Sequence, residues 1–313
     1  MKKFESIFTF VVSLIAFIAI IVIIFIGIKN KEEGSGSTVQ EEVTKIETGT
    51  FNKVHISLEN SNIQVLDSVD DTIKIVYFER EANTYTYSAE ECFLQLTEHS
   101  RFSLFSCQGF NFRTETAKLY LPVGWEGMLK IEATNGSLKL ENRIGLKRLA
   151  MYSTNGTIVL TNADVSEYVD LDTTNGSIEV NGVKASRYIK METTNGSIEI
   201  DDVETAEYIS AETTNGKIDC TKVVSEELEF DTTNGDIDVN NATFKNLKAD
   251  TTNSGINVII RGIQEDFNIE MNTVNGSVYL NGEKVSKGTI STGKEKDITL
   301  ITTNGSVKLN FVE

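Results

Sequence analysis

The chain has 313 residues, 40% hydrophobic and 24% charged, enough to bury a large core in one or two domains. Its 29 Lys and Arg against 46 Asp and Glu give a net charge of −17, a surface that repels phosphate backbones and excludes nucleic acid as a partner. A single proline, 22 glycines and many Thr, Ile and Val point to a β-rich chain with regular turns.

From Ile7 to Ile28 every residue is apolar or small except Thr9 and Ser13, with no charge. As a helix this run would reach about 33 Å, enough to cross a hydrocarbon core of about 30 Å. A cleavable signal peptide has a shorter apolar stretch and a small-x-small site directly after it, whereas Ile28-Lys29-Asn30-Lys31 follows here. The expectation is therefore one N-terminal transmembrane helix at 7–28, with a cytoplasmic N-terminus at 1–6 and the bulk extracytoplasmic on a bacterial cell membrane. Lys2 and Lys3 against Lys29 and Lys31 give that orientation only a slight bias. Residues 29–50 are polar around a GSGS core and read as a flexible linker.

Residues 51–130 are irregular: FNKVHISLENSNIQV, then DDTIKIVYFE, then a stretch with Cys92 and Cys107, then AKLYLPVGWEGMLK. They read as the first part of the fold and the cover of one end. Cys92 and Cys107 could pair as a disulfide outside the cell, and two free thiols fit the same spacing.

Residues 131–313 repeat. Asn-Gly, or Asn-Ser-Gly in one case, recurs with its Asn at 135, 155, 175, 195, 215, 234, 253, 275 and 304. The spacings are 20, 20, 20, 20, 19, 19, 22 and 29 residues. A fixed period of this size marks a solenoid, propeller or array, and it is too short for a four-stranded propeller blade. Within YVDLDTTNGSIEVNGVKASR, Val169 and Leu171 alternate with acids before the turn, and Ile178 and Val180 do so after it. Asn-Gly between alternating runs is also a hairpin signal. A hairpin meander, however, strands the third apolar position, Val183, Val203, Val223 and Ala242, in its loops, whereas a coil points it inward. The reading is an all-β, single-stranded parallel β-helix of about 20 residues per coil, expected right-handed. Gly136, Gly156, Gly176, Gly196, Gly216, Gly235, Gly276 and Gly305 are expected to supply positive φ at the corners, with Asn135, Asn155, Asn175, Asn195, Asn215, Asn234, Asn275 and Asn304 stacking as an amide ladder.

The order of Ile56 to Val65, Ile73 to Tyr77, Leu119 to Pro122 and the TNG series from Asn135 resembles the bacterial “putative adhesin” family, also classed as a domain of unknown function. The resemblance covers roughly residues 50–313. It implies a parallel β-helix, exported and often membrane-tethered, and carries no catalytic residues with it. The longer spacing before Asn304 and the Asn253-Ser254-Gly255 variant depart from the repeat near the C-terminus.

No GxSxG, HExxH, CxxC, P-loop or GxGxxG motif occurs, and His55 and His99 lie outside the repeats without metal-ligand spacing. Asp172, Glu192, Glu212, Asp231 and Asp250 form one column of acids, and Glu179, Glu199, Asp219 and Asp238 a second. Hard oxygen ligands suit a divalent cation, so Asp172, Glu192, Glu212 and Asp231 are weak candidates for cation contact; a solvated strand face is the plainer reading. An enzyme would break its repeat where its chemistry sits, and the one large break, 281–301, is a polar Lys- and Glu-containing loop. Thr174 and its equivalents make only one exposed threonine column, short of an ice-binding face. Six Asn-Gly-Ser/Thr triplets match the glycosylation acceptor, but Asn215-Gly-Lys and Asn234-Gly-Asp keep the turn without it, so turn geometry is the better cause. Cys220 takes the core position of Val180 and Ile200.

Together these readings give a membrane-anchored, non-enzymatic rod in adhesion or binding, without cofactor, its ligand an unknown protein or glycan. SVKLNFVE has no evident cap, so self-association at the C-terminal end is expected. The alternatives are an accessory of an envelope-stress or regulatory system and, third, a carbohydrate-active enzyme.

Overall fold

The computed structural model describes residues 40–80, 83–100 and 115–312. Tyr188–Thr193 pairs in parallel with Tyr208–Thr213, residue for residue at a shift of 20, and Ile198–Thr205 pairs in the same way with Ile218–Val224. This is a coil, since a hairpin would pair Tyr188–Thr193 with Ile198–Thr205. Alternation decides what lies inside. Ile189, Met191, Ile198 and Ile200 are fully buried, and the third position, Val183, Val203, Val223 and Ala242, points into the same core. At about 1.5–3 kcal/mol per buried aliphatic side chain, four or five per coil supply the main drive for stacking. Cys220 is buried in line with Ile200, and burial pushes its thiol up.

Sequence order fails at both ends of the stack. Lys296–Thr302 lies between Asn246–Thr251 and Phe267–Thr273, and Val307–Val312 lies between Ile256–Arg261 and Val278–Leu280. The last coil in the chain is thus second from the end, and coil 267–280 is outermost. Two short antiparallel strands, Glu283–Val285 on Val278–Leu280 and Gly288–Ile290 on Phe267–Thr273, run along its free edge. The long spacing before Asn304 is this excursion, and Val307–Val312, within the SVKLNFVE segment read as an uncapped end, is interior to the stack. At the other end Phe93–Ser100 and Glu115–Leu121 lie outside Lys53–Leu58 and Ser61–Asp67. Antiparallel strands again follow: Asn83–Glu90 pairs with Phe93–Ser100, Ile73–Arg80 with Glu115–Leu121, and Gln40–Glu47 with Ile73–Arg80. Eleven parallel strands stack on each of two faces, about 48 Å at 4.8 Å each.

Two expectations are corrected. The linker read over 29–50 ends sooner, because Gln40–Glu47 is an edge strand, with Val43 against the core and the Tyr87 hydroxyl donating to Glu47. The single-pass localisation is also withdrawn. The described residues contain only one helix, the three-residue 3-10 turn Gln264–Asp266, and none is long and apolar enough to cross a membrane. The segment 7–28 to which the anchor was assigned lies outside the described residues.

Candidate functional site

The Asn-Gly corner forms a continuous amide ladder. Asn155 Nδ2 donates to Asn135 Oδ1, Asn175 to Asn155, Asn195 to Asn175, Asn215 to Asn195 and Asn234 to Asn215, each at 2.7 Å. Asn253, Asn304 and Asn275 continue it in spatial order at 2.8 Å, and Asn135 donates to Asn60 at the other end. The glycines serve a different purpose from the one expected. None of the eight corner glycines has positive φ. A Cβ on Gly196 would instead lie 1.8 Å from the carbonyl oxygen of Gly176, and one on Gly216 would lie 1.7 Å from that of Gly196. Glycine is needed because successive backbones touch. Positive φ belongs to the next corner, in the register column Asn142, Asn162, Gly182, Asp202, Lys222 and Asn241.

Beneath the ladder the first Thr of each Thr-Thr-Asn-Gly points inward. Thr173, Thr193, Thr213, Thr232, Thr251, Thr273 and Thr302 each donate Oγ1 to the carbonyl of the adjacent coil's corner, at 2.8–3.0 Å. Ser153 does the same to Gly136. A buried carbonyl that no strand pairs is thereby satisfied in every coil.

Outside the ladder the acids stand in register as one column: Asp172, Glu192, Glu212, Asp231 and Asp250. Burial, then Glu192 and Asp170, push the Asp172 carboxyl above the ordinary aspartate range against the pull of Lys190. Burial raises Asp231 and Asp250 too. At the start of the column Glu132, Tyr152 and Asp172 border a polar groove of about 390 Å³ with Ser57, Thr154 and Thr174. There Glu132 pairs with His55 at 2.5 Å and with Lys130 at 2.8 Å; burial opposes ionisation, but these partners hold its carboxyl below the usual range. Among the described residues no group of three His, Cys, Asp or Glu side chains is placed to hold a metal ion, and His99 is exposed. The second column, Glu179, Glu199, Asp219 and Asp238, is bridged near its end by Lys217, 2.8 Å from Asp219 and 2.7 Å from Asp238.

A tyrosine row opens the same face. Tyr168, Tyr188 and Tyr208 stack with ring centroids 5.0 and 4.8 Å apart and planes within 4° of parallel. The Arg148 guanidinium lies 5.2 Å from the Tyr168 ring. The ring faces cover one another, so they do not form an open stacking platform for a sugar. Beside this row Gly145, Val165, Ala185, Thr205 and Ala206 floor a groove of about 510 Å³, with the Lys184–Glu204 pair, 2.8 Å, on its rim.

Three features escaped sequence reasoning. The tyrosine row was legible from its recurrence at a 20-residue spacing in three successive coils. Arg143 was not: it takes the third core position, in register with Ala163, and is 2% exposed. Its guanidinium donates to Asp67 at 2.8 Å and to the carbonyls of Leu121 and Pro122 at 3.2 and 2.5 Å, capping strand ends that have no third side to their coil. Glu98, also buried, accepts from the Glu59 backbone N–H, Arg80, Asn83 and Tyr85. Cys92 is an exposed free cysteine, and Cys107, its expected partner, lies outside the described residues.

The family model described as Toastrack DUF4097 matches residues 51–310. Solved structures with a similar course include a “putative adhesin” from Parabacteroides distasonis, 12% identical, covering 87% of this chain and 97% of that one at a TM-score of 0.48. Another from Parabacteroides merdae is 15% identical, covering 90% and 98% at a TM-score of 0.47. A third, from Bacteroides fragilis, is 12% identical, covering 88% and 99% at 0.42. No curated protein matches the chain.

Proposed function

The chain belongs to the Toastrack DUF4097 family, and from that premise we propose that it is a non-enzymatic binding protein, a rigid acidic rod that engages an extended protein or glycan ligand as an adhesin does. One observation carries this reading: the exposed polar groups of the regular coils form uniform rows. The acids, the exposed threonines and the amide ladder each repeat once per coil, about 4.8 Å apart, and the tyrosines recur over three successive coils. Hydrolysis or elimination needs a unique acid and base at one place, with different environments to set their pKa values apart. A lattice of equal groups suits a ligand that is itself long and repetitive. With a net charge of −17 the rod favours neutral or amine-bearing ligands over anionic polymers.

Binding of residues 40–313 to a glycan array and to immobilised extracellular protein tests this, with chromatography of the bound glycan alongside. Retention of an unaltered ligand, weakened by exchanging Glu192 and Glu212 together for Lys, is the expected result. Release of oligosaccharide product would overturn it.

A further inference from the structure

We propose that Asn275–Gly276 is a self-modification site, where the folded rod loses its first side-chain amide and loosens its own outermost coil. In the reaction the Gly276 backbone nitrogen attacks Asn275 Cγ and forms the fifth bond of a succinimide ring. The Cγ–Nδ2 bond breaks, and Nδ2 leaves as ammonia, carrying off the proton of the Gly276 amide. Water then opens the ring at either carbonyl, leaving aspartate or isoaspartate at position 275. The step consumes only water.

Every Asn-Gly pair has the required sequence, so the structure must choose among them. An inner rung such as Asn195 donates to Asn175 and accepts from Asn215, both at 2.7 Å, and coils on both sides hold its backbone. Its attacking nitrogen is also engaged, since Gly196 N–H donates to Thr193 Oγ1 at 3.2 Å; Gly216 and Gly235 are held alike. Asn275 is the last rung. It donates to Asn304 at 2.8 Å and, among the described residues, accepts from no further rung, and no threonine bond to Gly276 N–H occurs. It is exposed, and coil 267–280 has a parallel neighbour on one side only. Turning its Cγ toward Gly276 breaks one ladder bond where an inner rung must break two, a difference of about fivefold in rate per hydrogen bond. The other Asn-Gly pairs are better held. Asn181 lies in a strand paired on both sides. Asn281 donates to Gln264 at 3.1 Å and accepts from Phe311 N–H at 2.9 Å.

The product acts on the cover of the rod. A carboxylate at 275 cannot donate to Asn304, and isoaspartate adds a methylene to the backbone of a corner whose Gly276 already touches the Gly305 carbonyl. Coil 267–280 is what separates Lys296–Thr302 and Val307–Val312 from solvent on that side.

The test is incubation of the folded chain at mildly alkaline pH and 37 °C, with peptide mapping by mass spectrometry and isoaspartate detection over time. Conversion at 275 at least about fivefold faster than at 175, 195 and 215 is expected, with all sites converging in urea. Equal rates in the folded chain, or an earlier product at 181 or 281, would overturn the assignment. As an independent arm, Asn275→Asp should raise hydrogen exchange in 267–280 and 296–312 and leave 168–213 unchanged. Unchanged exchange at that end would refute the loosening.

Discussion

Gly196→Ala tests most directly whether the corner glycines are dictated by contact between coils. The new methyl would lie 1.8 Å from the Gly176 carbonyl oxygen and 2.4 Å from its carbon, both backbone atoms within a sheet. Ordinary contact begins near 3.4 Å, so the two corners must part by well over an ångström. At that separation the bonds crossing the step are lost or badly stretched: Asn195 N–H to Thr174 O at 2.9 Å, the Asn195–Asn175 rung at 2.7 Å, and Thr193 Oγ1 to Gly176 O at 2.8 Å. Three bonds at about 1 kcal/mol each, with buried groups left unpaired, give a cost of about 3–5 kcal/mol. If positive φ were the reason instead, the cost would be about 1–2 kcal/mol and would fall on positions such as Gly282, φ +81, where a Cβ meets nothing within 4 Å. Urea unfolding followed by far-UV circular dichroism, with hydrogen exchange over 168–213 to locate the damage, separates the two accounts. A Gly196→Ala variant within about 1 kcal/mol of the parent, or one no worse than Gly282→Ala, would refute the contact argument.

Thr213→Val should cost about 1–3 kcal/mol by urea unfolding, because it orphans the Gly196 carbonyl and the Gly216 N–H at once, whereas Thr213→Ser should recover most of the loss. Glu98→Ala should raise hydrogen exchange in 73–100 and spare 188–251, since the Glu59 N–H, Arg80, Asn83 and Tyr85 all lose their common acceptor. Acidification from neutral pH should first raise the melting temperature. Asp172, Asp231 and Asp250 bind protons more tightly folded than unfolded, so stability is gained as pH falls through their raised values toward the ordinary 3.8. Further acidification should then reverse the gain, as Glu132 and Glu167, whose folded values are lowered, lose their ionised partnerships. In calorimetry over a pH series, Asp172→Asn should flatten the initial rise.

The regular coils were legible because two periodicities agree there, alternation within the strand and a constant spacing between strands. The inward Thr173 column, the third core position and the amide ladder all follow from that pair of rules. The reason for the corner glycines did not, because positive φ and close approach select the same residue, and only the packing of successive backbones distinguishes them. Lys222 occupies the corner that does need positive φ, at φ 51, so composition concealed which corner that was. The Asn-Gly at 281–282 is the hairpin that the motif signals: φ is 52 and 81, and Leu280 pairs with Glu283 across a two-residue turn. The ends were illegible for another reason. Chain order predicts stacking order only while each coil adds to the last. Inserting 296–312 beneath 267–280 depends on the antiparallel strands beyond it, a contact between segments that share no repeat.

That inversion bears on what a parallel rod presents at its two ends. Each coil exposes unpaired N–H and C=O groups on two edges, and a stack ending on a regular coil would template another. Here both outermost coils carry antiparallel strands, which present the wrong direction to an incoming parallel coil, and both are outermost out of sequence order. The chain continues from Gln40–Glu47 into Lys53–Leu58 at one end and from Gly288–Ile290 into Lys296–Thr302 at the other, each inside the stack, so both covers are tied to interior coils. Buried Glu98 and Arg143 sit where the coils stop being complete, replacing the threonine and aliphatic positions of the repeat with groups that satisfy stray backbone donors and acceptors. Regularity along the shaft supplies a long uniform surface, while the buried irregular polar residues Glu98 and Arg143 lie toward the end where the chain enters the stack. The proposed binding role draws on both: equal coils present a uniform lattice, and unequal ends place antiparallel strands on the edges of the stack.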